Sequence, residues 1–504
     1  TPNIVVGIMT GTLNGDGSSL TGIAATNWIA NNVTANSSTT TVDLALGNVV
    51  KFTQSANTTV SFANTGTSNI VSFIRIKDSN ATTRTLTWPS SIKWNGGSAP
   101  DLVQINPTGE EFDLITLLTR DEGVTWYGWL TSSNSRTDSN LFIWGNLSDY
   151  GANLQNNLIE YSSPVQVPGT NWRSVTSSRE TGVTLATKTD GTLWAGGRNE
   201  FGNLGQNNRT YYSSPVQIPG TTWSANITTS NGTDAQAGAV KTDGTLWIWG
   251  KNSFGGLGLN ESASPSSANS KSSPTQIGSG TDWNTTPRTF SSGSNYSVAT
   301  KTDGTLWAWG YNDYGNMGDN DRTRRSSPTQ IPGSTWNKVS AFFVTTLAIK
   351  TNGELWAWGN NDEGQLGQSN KTQYSSPVQI PGTTWQDVAM GYQQAIATKT
   401  DNTMWAWGSN EYGILGINNQ TNYSSPKQVP GSWILPIAGQ HFSGGVKTDG
   451  TLWMWGRNDG DAVGSLGQNN QTQYSSPIQV PGTWGTTVGQ VGANYGGMRG
   501  IKEQ

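Results

Sequence analysis

The chain has 504 residues, with 29 lysines and arginines, 33 aspartates and glutamates and one histidine, which give a formal net charge of −4. This acidic balance offers no basic surface to nucleic acid or an anionic membrane, and the lack of cysteine excludes disulfides and thiolate metal sites. No apolar run approaches the length of a membrane span. Only 12% of residues are charged and 24 tryptophans are available for a core, so we expect a folded protein rather than a disordered one.

Residues 1–40 are small and polar, and they hold too little apolar surface to fold by themselves. We predict an oligomerisation or attachment segment that depends on neighbouring chains. Its stretch Gly15–Ile23, with the sequence GDGSSLTGI, resembles segments of bacteriophage tail-fibre and appendage proteins. Such proteins are typically trimeric, so the resemblance implies a homotrimer.

Short runs rich in β-branched and aromatic residues follow in residues 41–131, where Gly, Asn, Ser and Pro separate them. This spacing predicts an antiparallel β-sandwich domain. The runs expected to be strands are 49–53, 59–62, 70–76, 85–88, 112–118 and 125–130.

The same region resembles a module of phage fibres and virion appendages. The residues that carry the resemblance are Thr85–Pro89, Ile92–Trp94, Phe112–Leu118 and Gly123–Gly128. It implies a structural role on the virion surface, without chemistry. The polar stretch 132–136 predicts a linker, with the domain boundary near residues 131–137.

From residue 137 to the end, the sequence repeats a unit that is clearest in KTDGTLWAWG, residues 301–310. Asp303-Gly304 predicts a two-residue hairpin turn in which both residues take positive φ. The outgoing strand has two apolar faces, as expected of small sheets stacked face to face. Its seven copies end at Gly145, Gly197, Gly250, Gly310, Gly359, Gly408 and Gly456, and each is followed by Ser-Ser-Pro and a further tryptophan.

The period of about 53 residues predicts a seven-bladed β-propeller of four-stranded blades over residues 137–504. The first copy lacks an incoming strand, whereas Gly497–Lys502 has the sequence of an incoming strand with no turn after it. We therefore expect the C-terminal strand to pair with Leu141–Trp144 and to close the ring, which would leave only short, protected sheet edges.

The repeat resembles the regulator of chromosome condensation family in its bacterial and viral form. The motifs concerned are TDGTLWAWG, the Gly-x-Leu-Gly of 364–367 and 413–416, and SSPxQIPG at 375–382. The eponymous member promotes nucleotide exchange on a small GTPase and sits on chromatin, while another relative is a secreted β-lactamase inhibitor. The resemblance thus implies a fold but no single function, and this chain lacks a basic tail for chromatin.

The sequence offers few groups for catalysis, and we predict no enzymatic activity, no cofactor and no metal. His441 is the only histidine, and a structural or solvent-exposed role is expected for it. Asp190, Asp243, Asp303 and Asp449 each open a predicted hairpin, which explains them better than a glycosidase carboxylate pair. The stretches 319–321 and 459–461 lack the spacing of calcium loops, so solvated turns are expected there.

Departures from the repeat indicate where a binding surface could lie. The third copy carries an insertion within Asn260–Lys271, whose tip should protrude. Aromatic and arginine side chains on loops are typical of interfaces, although ordinary solvated loops would carry the same residues. The candidate binding residues are Tyr211, Tyr212, Glu261, Lys271, Arg322, Arg324, Arg325, Asp459 and Asp461.

Together these features predict a non-enzymatic bacteriophage virion surface protein, a tail or head fibre or appendage located on the virion and outside cells. Its predicted partners are a host cell-surface receptor, either glycan or protein, and other virion structural proteins. A secreted bacterial adhesin or inhibitor that acts through the propeller face is the alternative. Glycan hydrolysis is a third hypothesis, and it requires a carboxylate pair.

Overall fold

The computed structural model describes residues 30–47, 49–65, 70–77, 84–94, 99, 112–119, 121, 123–133, 139–146, 152–178, 182–230, 235–261, 269–487, 489–493 and 496–502. The chain divides into two compact units, Thr1–Thr137 and Asp138–Gln504. The predicted oligomerisation stretch Gly15–Ile23 and the tip of the insertion, 262–268, lie outside the described residues.

The first unit contains a six-stranded sheet in the order β1-β3-β5-β8-β9-β7 and a three-stranded sheet in the order β2-β4-β6. Apolar side chains from both sheets, among them Val42, Phe52, Val60 and Trp126, form one buried core. A short 3-10 helix spans Leu44–Leu46. The strands are β1 (Ala30–Ala35), β2 (Thr39–Asp43), β3 (Val49–Gln54), β4 (Thr58–Ala63), β5 (Ile70–Lys77), β6 (Leu86–Thr87), β7 (Ile92–Trp94), β8 (Phe112–Thr119) and β9 (Trp126–Ser133).

The strand directions correct the prediction of an antiparallel domain. Five pairs are parallel, namely β1 with β3, β3 with β5, β2 with β4, β4 with β6 and β7 with β9. Only β5 with β8 and β8 with β9 are antiparallel in the described part of this unit. Successive strands from β1 to β6 alternate between the two sheets, so the chain returns to each sheet in the same direction.

Two predicted boundaries of the first unit are also wrong. Strand β1 and part of β2 fall within residues 1–40, yet they pair with β3 and β4 and belong to the same sheets as the rest of the unit. The linker expected over 132–136 begins too early, because β9 continues to Ser133.

The second unit consists of seven four-stranded sheets, numbered here as blades 1 to 7. Blade 1 contains the first strand of this unit, and blades 2 to 7 follow in chain order. The first ten strands are β10 (Asn140–Gly145), β11 (Tyr161–Gln166), β12 (Trp172–Ser177), β13 (Val183–Lys188), β14 (Leu193–Gly197), β15 (Tyr212–Ile218), β16 (Trp223–Thr229), β17 (Gln236–Lys241), β18 (Leu246–Gly250) and β19 (Lys271–Gln276).

The remaining strands continue this pattern, and short 3-10 helices at Ser253–Gly255, Glu411–Gly413 and Gly460–Ala462 lie in the connections. These strands are β20 (Phe290–Ser292), β21 (Tyr296–Thr300), β22 (Leu306–Gly310), β23 (Arg325–Ile331), β24 (Trp336–Phe342), β25 (Thr345–Lys350), β26 (Leu355–Gly359), β27 (Tyr374–Ile380), β28 (Trp385–Met390), β29 (Gln394–Lys399), β30 (Met404–Gly408), β31 (Tyr423–Val429), β32 (Trp433–Ala438), β33 (Phe442–Lys447), β34 (Thr451–Gly456), β35 (Tyr474–Thr483), β36 (Val491–Ala493) and β37 (Gly497–Lys502).

Blades 2 to 7 each take four consecutive strands, from β12–β15 to β32–β35, and the first of the four is the innermost. Blade 1 has the order β11-β10-β37-β36 and combines strands from both ends of the unit. Its strand β10 pairs antiparallel with β37, so that Leu141 lies opposite Ile501. Each innermost strand contacts that of the next blade, and β36 contacts both β32 and β12. The prediction of an all-β chain with a seven-bladed propeller is confirmed.

Tryptophans join neighbouring blades. The indole Nε1 of Trp309 in blade 4 donates to the carbonyl oxygen of Gly256 in blade 3, at 3.0 Å. Trp144 of blade 1 donates in the same way to Ser465 of blade 7, at 2.9 Å. Since these side chains are fully buried, each one fills an interblade core and pairs its only polar group there.

The hairpin turn differs from the prediction. Gly304 has a φ of +79°, but Asp303 is not among the residues with positive φ. The Gly304 N–H donates to the carbonyl of Lys301, and the Lys301 N–H donates to that of Thr305. The turn is therefore a type I turn followed by a left-handed glycine, and not a two-residue turn with two positive φ angles.

Candidate binding surface

The strand register gives the propeller two distinct ends. In blade 4, Tyr296 at the start of β21 pairs with Gly310 at the end of β22, and Gly310 pairs with Arg325 at the start of β23. The connection from β20 to β21 and the connection from β22 to β23 therefore lie at the same end of the blade. We call this end, formed by the connections between the first and second and between the third and fourth strands, the loop face. The opposite end, which carries the hairpin turns such as Lys301–Thr305, is the turn face.

On the turn face, the repeated aspartates are held by their own turns. The Asp303 carboxylate accepts hydrogen bonds from the Thr305 hydroxyl at 2.7 Å and the Thr305 N–H at 2.9 Å. These bonds hold the pKa of Asp303 below its usual value, and the same threonine contacts lower the pKa of Asp243, Asp401 and Asp449. These carboxylates therefore accept hydrogen bonds within their own turns.

The loop face of blades 3 and 4 carries a dense cluster around Arg324. Its guanidinium binds Asp313 through two hydrogen bonds of 2.8 and 2.5 Å, and it lies 4.4 Å from the ring centroid of Phe254 and 5.1 Å from that of Tyr311. The bond to Arg324 lowers the pKa of Asp313. Burial, together with Asp313, raises the pKa of Tyr311 to about 12. This arrangement fixes a half-buried arginine against two aromatic rings on the loop face.

A second row of rings crosses blades 5 to 7 on the loop face. The centroids of Phe343 and Tyr392 are 4.9 Å apart, those of Tyr392 and His441 6.4 Å, and those of Tyr412 and His441 5.6 Å. Arg457 lies 4.9 Å from the centroid of Tyr412. His441 is half-buried within this row and lies against the rings of Tyr392 and Tyr412.

The other candidate residues are spread around the ring. Tyr211 is 43% exposed in blade 2, and the hydroxyl of the half-buried Tyr212 beside it accepts a hydrogen bond from Asn208. Glu261 and Lys271 form a 2.5 Å ion pair at the base of the insertion. Arg322 is exposed. The contacts of Tyr212, Glu261 and Lys271 named here stay within their own blades.

Of three further candidates, two form local ion pairs and the side chain of the third lies outside the described residues. Arg325 binds Asp321 at 2.6 Å and Asp319 at 3.3 Å, which makes the stretch 319–321 an arginine partner. The Asp459 carboxylate accepts from Arg457 at 3.0 Å and Gln473 at 2.8 Å. The side chain of Asp461 lies outside the described residues.

Comparisons with known proteins agree with this geometry. The family model described as "Regulator of chromosome condensation (RCC1) repeat" matches residues 243–300, 303–344, 352–398 and 401–443. A second model of the same description matches 288–316 and 385–414. These segments of the chain, within residues 243–443, are therefore similar to RCC1 repeats.

The curated relatives match only part of the chain. Human Protein RCC2 is 29% identical over 153 residues, 30% of this chain and 27% of that protein. The Arabidopsis thaliana ultraviolet-B receptor UVR8 is 27% identical over 148 residues, 29% of this chain and 32% of that protein. The chain thus spans about a third or less of the length of these curated relatives.

Solved structures with the same fold cover more of the chain. Human WBSCR16 superposes with a TM-score of 0.61 at 19% identity over 72% of this chain and all of that one. Yeast RCC1 (Prp20), solved bound to Kap60, gives a TM-score of 0.60 at 16% identity over 72% and 88% of the two chains. At such identities the likeness shows the fold alone.

Charged residues also lie in the central channel, which is the space surrounded by the innermost strands of the blades. The sequence did not predict them. Arg288 of blade 4, with φ +66°, donates to the carbonyl oxygens of Val388 in blade 6 and Pro436 in blade 7. It lies 3.5 Å from the buried carboxylate of Asp387, and Lys338 lies 3.6 Å from the same group. The Arg288 side chain therefore crosses the channel and ties three blades together.

A recurring sequence motif marks several aromatic residues of the loop face, but the candidate binding residues were not chosen from it. The third strand of several RCC1 repeats is followed by Asn-x-aromatic-Gly, which occurs at 199–202, 252–255, 312–315 and 410–413. In each case the aromatic side chain is half-buried in the loop face. The recurrence of this motif would have pointed to the loop face.

The described part of the chain contains no group of three or more His, Asp or Glu side chains that could hold a metal ion. Among the same residues, no helix is long and apolar enough to cross a membrane.

Proposed function

We propose that this chain is a non-enzymatic bacteriophage surface protein that displays an RCC1-repeat propeller for host receptor recognition or surface decoration. In this proposal the first unit is a virion-attached β-sandwich, the residues before it join copies into a trimer, and the C-terminal strand closes the ring. The pairing of β10 with β37 supports the closure. The attachment and the trimer rest on the resemblance to phage modules described above.

The observation that carries the binding role is the Arg324 cluster. Tyrosine and arginine are among the residues that contribute most to binding at interfaces, and here Arg324 is held in place by Asp313 and by the rings of Phe254 and Tyr311. Side chains that are already ordered lose little conformational entropy when a partner binds. A loop face built in this way suits recognition.

Copies of the disc would act together. Three propellers in one trimer present the same loop face to one cell surface, so weak contacts gain strength through effective concentration. The function therefore requires no strong individual site. Light scattering of the full chain is expected to give three times the mass of one chain, and a monomer would remove the support for this part.

Adsorption of the purified full chain to a panel of bacterial strains tests the receptor role. We expect saturable binding to at least one strain and competition with virus adsorption to that strain. The variant R324A should weaken binding at least tenfold, whereas K427A, at an exposed position on β31, should leave it unchanged. Saturable binding that is unaffected by R324A would place the receptor contact elsewhere than the Arg324 cluster.

A secreted adhesin or inhibitor remains the alternative function. It predicts the protein in bacterial culture fluid without virus particles. Because adsorption to cells would be seen in both cases, the location of the protein separates the two functions.

A further inference from the structure

Two sequence differences meet at the junction between blades 3 and 4. In blades 1, 2, 5 and 7 a glutamine follows the Gly-x-Leu-Gly segment or its equivalent, at positions 155, 206, 368 and 468, whereas blade 4 has Asp319 and blade 6 has Ile417 there. The Gln206 amide donates to the carbonyl oxygens of Leu204 at 3.2 Å and Gln217 at 3.1 Å. Blade 3 has Leu259 at this position.

The substitution leaves an acceptor without its usual donor. The carbonyl of Gln276 corresponds to those of Gln217, Gln379 and Gln479, which accept the glutamine amide in their own blades. Leucine has no N–H in its side chain, so Leu259 cannot supply that bond. Instead it contributes an apolar wall beside the Gln276 carbonyl.

The second departure opens the space next to this wall. The other six repeats continue with Pro-Gly after the last isoleucine or valine of the fourth strand, whereas blade 3 has Gly278-Ser279-Gly280. Its segment before the next tryptophan is one residue longer than in blades 1, 2, 4 and 5 and two residues longer than in blades 6 and 7. Gly278 has a φ of +60°, which proline cannot adopt, and no heavy atom lies within 4 Å of where its Cβ would be. The loop therefore leaves open space above Ile277.

These two departures border a cavity of about 400 Å³. Its walls include Leu259, Gln276, Trp283, Lys301, Trp307 and Pro328. Lys301 lies 5.1 and 4.9 Å from the ring centroids of Trp283 and Trp307 and forms a 3.0 Å ion pair with Asp282. The volume falls within the range of roughly 300–1,000 Å³ typical of small-molecule sites.

We propose that this cavity binds a pyranose ring of a glycan. A sugar has an apolar C–H face, which suits Leu259 and the half-buried Trp307, and hydroxyl groups, which can donate to the Gln276 carbonyl and accept from Lys301. A wholly apolar ligand would bury that carbonyl without a partner. A ligand with a net charge gains little, because Lys301 is already neutralised by Asp282.

This site gives the proposed receptor-binding function a ligand class and to that extent rests on it. The binding itself is measured without virions or cells, so the two can fail separately. If the chain is found on virus particles but binds no sugar, only the proposed sugar site is contradicted. If it binds sugar but is found only in culture fluid, only the proposed virion function is contradicted.

Saturation-transfer difference NMR on the full chain tests the proposal, with methyl pyranosides of glucose, galactose, mannose, rhamnose and N-acetylglucosamine at millimolar concentration. We expect transfer to the ring protons of at least one of them. The variant L259Q supplies the glutamine side-chain amide that blades 1, 2, 5 and 7 have at this position. It should weaken that binding at least tenfold. The matched control I417Q makes the same change in blade 6, which keeps Pro430, and should bind as the original chain does.

A second variant guards against misfolding of the first. Replacing Gly278-Ser279-Gly280 with the Pro-Gly of blade 2 should also abolish transfer, and its thermal transition should match that of the original chain. No transfer to any of the five sugars, or transfer that both variants leave unchanged, would overturn the proposal.

Discussion

The ammonium group of Lys447 lies 3.7 Å from the ring centroid of Trp453 and 5.2 Å from that of Trp433. The last residue of the incoming strand is thus held between the tryptophan that begins the first strand of its blade and a tryptophan near the start of the third strand. The same arrangement recurs at Lys188, Lys241, Lys301, Lys350, Lys399 and Lys502, although Phe142 replaces one tryptophan at Lys502.

Removing this cation should destabilise the propeller. For K447M we expect the free energy of unfolding to fall by about 1–2 kcal/mol, because a cation close to an aromatic face contributes that much when it is partly desolvated. Denaturation in guanidinium chloride measures the change. The control K427M removes an exposed lysine 5.0 Å from a single ring, Tyr423, and should cost less than half as much. Equal losses of unfolding free energy in the two variants would contradict a stabilising contact of Lys447 with the two tryptophans.

The C-terminal strand should matter more than any single side chain. Deletion of residues 497–504 removes all of β37 and leaves β10 and β36 without their shared partner. We expect the loss to be comparable to the whole folding free energy of a domain, roughly 5–15 kcal/mol. Circular dichroism during heating measures it. Deletion of residues 503–504 alone should leave the melting curve unchanged, and a cooperative melt of the longer deletion at the original temperature would contradict the role of β37.

The turn aspartates should make the propeller sensitive to acid. Their pKa values are lowered in the folded chain, so the stabilisation is complete above the unfolded-state value of about 3.9 and is lost as the pH falls through the folded pKa. Substituting Asp243, Asp303, Asp401 and Asp449 by asparagine should flatten the pH dependence of unfolding below about pH 4. Blade 5 already uses Asn352, whose Oδ1 accepts from the Glu354 N–H. Urea unfolding at a series of pH values measures the slope, and an unchanged acid slope would contradict this interpretation.

The channel charges should be strongly coupled. R288M leaves the buried carboxylate of Asp387 with Lys338 alone, and we expect a loss of about 3 kcal/mol. Adding D387N removes the charge that was left behind, so the double variant should be more stable than R288M. Chemical denaturation of the two single variants and the double variant measures the coupling. Additive losses would show that Arg288 acts through its carbonyl contacts and not through Asp387.

Local sequence signals predicted the propeller well. The third strands of blades 1 to 7 end at the seven glycines identified in the repeats, because strand alternation and the Asp-Gly turn are both properties of a few neighbouring residues. The type of turn was missed, since an aspartate that accepts hydrogen bonds from the following threonine favours a type I turn over two positive φ angles.

Contacts between distant residues were the part that the sequence could not provide. The parallel pairs of the first unit depend on which sheet each strand joins, and strand alternation does not encode that choice. Arg288 reaches blades 6 and 7 from a position that is Gly489 in the matching stretch of blade 1, so no comparison of copies reveals the role of its side chain. The Arg324 cluster was half visible, because its arginine was identified but its rings were not.

Immunogold electron microscopy of intact virus particles, with antibodies raised against the full chain, tests the central proposal most directly. The account predicts label at a fixed position on the outer surface of the particles. Label confined to particle-free culture fluid or to the bacterial surface would contradict it.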